Sequence, residues 1–250
     1  MRKNFFCALT SLIVCLALSP LPAIAAALEL TDPDAIKYSA ILNSYWDYFI
    51  QHDDNEEALD DLFIKIAKEV NIEPDTRNND KAYELSASFE PLQYAYYGVN
   101  LGYSLHDLNN DGTPELFILS EDDSINAIFS LVNGAPVLVG AYWSRNRCEI
   151  DEARTFYNSG SSGASDNSFA SYSYAGGDEL QLIREVGMET YDEEAGKSLP
   201  QPRYYRIEYG KKTIIDEKEA EADALWGGVF TKDNALNLNF VSLFSIPRAP

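Results

Sequence analysis

Hydrophobic and polar positions along the chain change rhythm near residue 80. Before it the apolar residues recur at helical spacing. Tyr38, Ile41, Leu42, Tyr45, Tyr48 and Phe49 form one stripe, so residues 33–50 predict an amphipathic helix. Asp32-Pro33 supplies its start, with Asp as N-cap and Pro at the first helical position. Asp54-x-x-Glu57 has the form of a capping box for a second helix, striped by Leu59, Leu62, Phe63, Ile66 and Val70 and ending before Pro74. Two such helices joined by a short acidic turn predict an antiparallel helical hairpin.

Residues 74–81 are loop-like, and after them the period falls to two. Leu101, Tyr103 and Leu105 alternate with Gly102, Ser104 and His106, the pattern of a half-buried strand. Leu116-Phe117-Ile118-Leu119 is a continuous apolar run, which predicts a strand covered on both faces. Three hairpins follow: 127–143 around Asn133-Gly134, 169–186 around Gly176-Gly177, and 204–215 around Gly210-Lys211. Asn158 to Ser168 is rich in Ser and Gly and reads as a flexible loop. The acidic run 216–223 reads as a short surface helix. The expected fold class is therefore α+β: an N-terminal helical segment over 26–74, then a mainly antiparallel β-meander domain over 82–250.

The first 25 residues stand outside that fold. Arg2 and Lys3 precede an apolar stretch from Phe5 to Leu18, and Ala23-Ile24-Ala25 offers a small-x-small cleavage site. This is the signature of a signal peptide, cleaved after residue 25. No later segment approaches the about 18 apolar residues of a membrane span. The expectation is an exported protein, periplasmic or extracellular. Cleavage removes Cys7 and Cys15 and leaves Cys148, so no intramolecular disulfide is available. A catalytic thiol at Cys148 would need a histidine, and the chain has only His52 and His106; a small buried residue at the start of a strand is the better reading.

Charge narrows the partners. Nineteen Lys and Arg against 40 Asp and Glu give a net charge of −21, which argues against nucleic acid and anionic membranes and favours cations or a cationic protein or peptide, although the better reading of the acidity is that it keeps an exported protein soluble. The 46% hydrophobic content excludes wholesale disorder.

One stretch carries a specific chemistry, Asp107 to Glu115. Asp107, Asn109 and Asp111 place oxygen donors at alternate positions, and Gly112 permits the sharp bend that brings later donors round. Thr113 offers its backbone carbonyl, and Glu115 follows directly or through a water. Oxygen donors in this number and charge suit a hard cation, Ca²⁺ above all. The segment resembles two kinds of calcium loop. In the EF-hand pattern, Asp107, Asn109, Asp111, Gly112, Thr113 and Glu115 match, but Ile118 stands where a bidentate Glu belongs and the flanks read as strands. The FG-GAP/VCBS type, a loop joining two strands, is the better match. More broadly, Tyr103 to Ile118 resembles a segment that recurs in exported bacterial proteins of unassigned function. The resemblance implies a calcium site built from Asp107, Asn109, Asp111, Thr113 and Glu115 with a structural role. The alternative is an ordinary turn in which Asp and Asn cap their own backbone.

Two functions are left open. The first is a non-enzymatic binding or inhibitory module clipped by Ca²⁺. The second is a hydrolase of polysaccharide or cell-wall polymer, in which a carboxylate pair and some of the 16 tyrosines and three tryptophans would bind sugar. No pair of carboxylates has a privileged position in the sequence.

Overall fold

The fold is taken from a computed structural model, which describes residues 30–51, 56–90, 92, 100–122, 124–161, 166–192, 195–227 and 234–243. The predicted signal sequence, His52 and the first half of the Asp54-x-x-Glu57 box lie outside these residues. The protein is α+β, with helices on one antiparallel sheet and a second antiparallel sheet on the other side.

Helix α1 (Pro33–Lys37) starts as its sequence dictates, with the Asp32 carboxylate accepting from Asp34 N–H at 2.8 Å. The predicted single helix is two. The chain leaves helical geometry at Tyr38, and α2 (Ser39–Gln51) follows. Tyr38 is buried, and its hydroxyl donates to the carbonyl of Pro114, 76 residues away, at 2.9 Å. A tertiary contact thus occupies the break. Helix α3 (Glu56–Glu69) packs against α2, although the turn between them is outside the described residues. Asn71 closes the C-terminus of α3 in the left-handed region, at φ 55°. Helix α4 (Asp80–Ala87) was not foreseen. It begins inside the stretch that reads as loop, where the Asn79 side chain accepts from Ala82 N–H at 3.3 Å.

The first sheet contains β1 (Leu101–His106), β2 (Glu115–Ser120), β3 (Ile125–Val132), β4 (Ala135–Ala141) and the short β11 (Val241–Ser242), in the order β11-β1-β2-β3-β4. All six residues of β2 are buried, as the continuous apolar run predicts. The two faces go to different cores. Leu116 and Ile118 join Ile41, Leu42, Tyr45, Leu62 and Ile66 under the helices, whereas Phe117 and Leu119 join Ile150, Phe156 and Tyr174 beneath the second sheet. The helical segment and the first sheet therefore share one core.

A tight turn from Trp143 to Asn146 passes the chain to the second sheet. This sheet contains β5 (Asn146–Ile150), β6 (Phe156–Ser161), β7 (Asn167–Ser173), β8 (Gln181–Asp192), β9 (Lys197–Glu208) and β10 (Lys211–Ile215), in the order β10-β9-β8-β7-β6-β5. The Ser/Gly stretch is largely strand: Asn158 to Ser161 pair with β7, and Asn167 and Ser168 belong to β7 itself. Gly160 and the serines are tolerated because their neighbours supply the ladder bonds. The last hairpin turns at Tyr209-Gly210, one residue before the expected pair. Helix α5 (Glu217–Glu221) and the residues after it cover the outer face. There the buried Asp223 carboxylate meets Arg184 and Arg206, and Trp226 packs on Phe169 and Tyr204. Among the described residues no helix is long and apolar enough to cross a membrane.

Candidate metal loop

The loop of residues 107–114 connects β1 to β2, whose pairing closes with His106 opposite Glu115. Its side-chain oxygens turn onto its own backbone. Asp107 Oδ1 accepts from Asp111 N–H at 3.2 Å and Oδ2 from Gly112 N–H at 3.0 Å. Asn109 Oδ1 accepts from Asp111 N–H at 3.1 Å, and Asp111 Oδ1 from Thr113 N–H at 2.8 Å. Asn109 Nδ2 donates to Asp111 Oδ2 at 2.9 Å. Asn110 and Gly112 supply the two left-handed conformations, at φ 59° and 84°, that let the chain curl around these oxygens.

Glu115 takes a different place from the other predicted ligands. It lies on the core side of β2, 1% exposed. Its Oε2 accepts from Leu108 N–H at 2.9 Å and its Oε1 from Ser130 Oγ at 3.1 Å. The structure thus gathers Asp107, Asn109 and Asp111 around the exposed turn, with Thr113 tied to Asp111, and holds Glu115 beneath them. Among the described residues no group of three or more His, Cys, Asp or Glu is arranged to hold a metal ion.

Electrostatics follows from these partners. The Asn109 amide, then the Thr113 N–H, hold the Asp111 carboxyl below the ordinary range. Burial pushes Glu115 up, opposed by the Leu108 N–H and the Ser130 hydroxyl. His106 is lowered, mainly by its partial burial and then by Arg154, so it is neutral near pH 7. Burial, followed by the Glu115 charge, drives Tyr38 well above the usual tyrosine range. Burial also raises the Cys148 thiol to about 12, which makes it a poor nucleophile.

Residues that the spacing did not single out anchor the loop. Leu108 is buried in the core between the sheets, and its carbonyl accepts from Arg154 Nη1 at 3.1 Å. Tyr38 holds Pro114 from the helical side. A Cβ on Gly176, in the β7–β8 connection, would come within 2.9 Å of Asn109 Nδ2. Helices and both sheets therefore meet at this loop. One signal for this was in the sequence: Leu108 is a lone apolar residue in an otherwise polar turn.

The donor set suits a hard cation in part. Each oxygen of Asp107 and Asp111 accepts one N–H and keeps further lone pairs for an ion. The Asn109 carbonyl is equally placed, and the oxygens are harder than any nitrogen or sulfur ligand. Glu115 fits less directly, because both its oxygens are engaged by core donors.

No protein-family model matches the chain, and no curated protein matches it. Among solved structures the chain is similar to one titled "Structure of a Xanthomonas Type IV Secretion System related protein", at 15% identity and a TM-score of 0.26. The match covers 45% of this chain and 56% of that one, a little over half of its length. A likeness this slight assigns neither fold nor function.

Proposed function

We propose that the chain is an exported, non-enzymatic binding protein whose β1–β2 loop holds a structural Ca²⁺. The observation that carries this reading is the inward turn of the Asp107, Asn109 and Asp111 oxygens at the point where three layers join. In this reading Asp107, Asn109 and Asp111 ligate the ion, Thr113 adds its carbonyl, and Glu115 supports the loop from below. The cation neutralises carboxylates that would otherwise repel one another, and so clips the turn. Binding rather than catalysis is supported by the state of the reactive groups. The Cys148 thiol is buried and protonated, and the acidic balance suits a cationic partner. Export rests on the signal-like first 25 residues.

Calorimetric titration of the mature protein tests the metal. Saturable Ca²⁺ binding with Kd near 10⁻⁴–10⁻³ M, in roughly the weak extracellular range, is expected, and Asp107→Ala should abolish it. Absence of saturation at concentrations about tenfold above that range would remove calcium from the account.

A further inference from the structure

The outer face of the second sheet carries a small cavity with both signs of charge on its wall. On β5, Cys148 and Ile150 point into the core between the sheets, so Arg147 and Glu149 point the other way. The register sets Ser159 and then Phe169 beside Arg147, and Tyr157 beside Glu149. The segment after α5 lies over these side chains and is fixed there. Its buried Asp223 carboxylate meets Arg184 and Arg206 through one oxygen and accepts from Leu225 N–H through the other, at 3.1 Å. Trp226 packs on Phe169, with ring centroids 5.5 Å apart. Between sheet and cover lies a cavity of about 150 Å³, whose wall includes Arg147, Glu149, Tyr157, Ser159, Phe169 and Leu225.

The two charged groups on that wall are not used by the fold. The other arginines of this sheet all meet carboxylates: Arg184 pairs with Glu208 and Asp223, Arg203 with Glu189 and Asp192, and Arg206 with Glu219 and Asp223. Among the described residues Arg147 makes no ion pair, with Glu149 or with any other carboxylate. Side chains two residues apart on one strand face start about 6.6 Å from each other. That leaves room for an ammonium and a carboxylate carried by a single carbon to bridge them.

We infer that this cavity binds a free α-amino acid with an apolar side chain, its carboxylate on Arg147 and its ammonium on Glu149. The guanidinium fork matches a carboxylate with two parallel hydrogen bonds. Ser159, paired opposite Arg147, offers a hydroxyl on the same side. Phe169 and Leu225 supply the apolar wall for the side chain. Other ligand classes fit less well. A neutral sugar would cover both charges and leave them unpaired, which is costly. A simple anion would face Glu149 and a simple cation would face Arg147. The volume equals that of cavities that accept one benzene ring, and falls short of the roughly 300 Å³ at which pockets for drug-sized ligands begin. None of the lining residues belongs to the β1–β2 loop, so this site goes beyond the calcium reading and does not depend on it.

The test is calorimetric titration of the mature protein, in EGTA, with valine, leucine, methionine and phenylalanine, and with glucose. At least one of the amino acids should saturate a single site. Its N-acetyl and amide derivatives, each lacking one charge, should bind at least about tenfold more weakly. Arg147→Met should weaken the amino acid by a similar factor. Glu149→Gln should weaken the amino acid but strengthen its N-acetyl derivative, a reversal that a purely structural role would not produce. Both positions are exposed, so these variants should melt within about 2 °C of the native chain. Leu225→Trp fills the cavity from the cover and should abolish binding while Arg147 and Glu149 stay in place. No saturation by any of the four amino acids overturns the inference. Glucose or the N-acetyl derivative binding as tightly as the amino acid also overturns it, as does an affinity unchanged by Arg147→Met and Leu225→Trp. Because calcium is withheld throughout, failure here leaves the calcium reading standing.

Discussion

Glu115 shows how one residue can serve the core and the 107–114 loop in different ways. Its carboxylate satisfies Leu108 N–H and Ser130 Oγ in a site from which water is excluded. Glu115→Leu leaves both donors unpaired and should cost about 1–3 kcal/mol, read as a lower urea midpoint. The pH dependence has the opposite sign from that of an ion-paired carboxylate. Burial raises the folded-state pKa above the ordinary 4.5, so the native chain holds the proton more tightly than the unfolded one. This group's contribution to stability is full below pH 4.5 and is lost as pH rises through the folded value. In EGTA, Glu115→Gln should flatten that part of the stability-versus-pH curve. An equally steep curve in the variant would assign the dependence to another group. Gln keeps an acceptor for Leu108 N–H and offers a donor to Ser130, so the fold itself should survive the change.

At the scale of elements, β2 is the clearest case of sequence dictating structure. Its unbroken apolar run left one solution, a strand covered on both faces, and the two cores use its alternate residues. Phe117 is fully buried against the second sheet. Phe117→Ala should therefore cost about 3–5 kcal/mol, against less than about 0.5 for Thr213→Ala on exposed β10. Equal midpoints for the two variants would contradict the described packing. The hairpins around Asn133-Gly134 and Gly176-Gly177 were legible because their turns demand residues that tolerate positive φ. Helix α4 and strand β6 were not. Asn79 announces α4 only through a single cap, and β6 is built from Tyr, Asn, Ser and Gly, whose strand conformation comes from the neighbouring ladders and not from their own propensity. The break at Tyr38 was hidden for the same reason, since its partner Pro114 lies far along the chain.

The whole molecule is two cores that meet through one central sheet, with the 107–114 loop at a corner touched by helices and by both sheets. The position of this loop was readable from its spacing of Asp, Asn and Gly. Its tertiary anchors, Tyr38, Arg154 and Gly176, were not, because each comes from a different element brought in by folding. If the loop holds Ca²⁺ as proposed, that placement would give a weak ion a global effect: closing the loop would secure the joint between layers and offset part of the self-repulsion of a chain with net charge −21. Linkage sets the size. At about millimolar Ca²⁺ and a Kd near 10⁻⁴ M the gain is ~1.4 kcal/mol, which corresponds to a rise of about 3–5 °C in melting temperature for a domain of this size. The decisive measurement is the thermal melt of the mature protein in Ca²⁺ and in EGTA, beside Asp111→Ala. The account predicts that rise in the native chain and its loss in the variant; identical melting in Ca²⁺ and EGTA would contradict it.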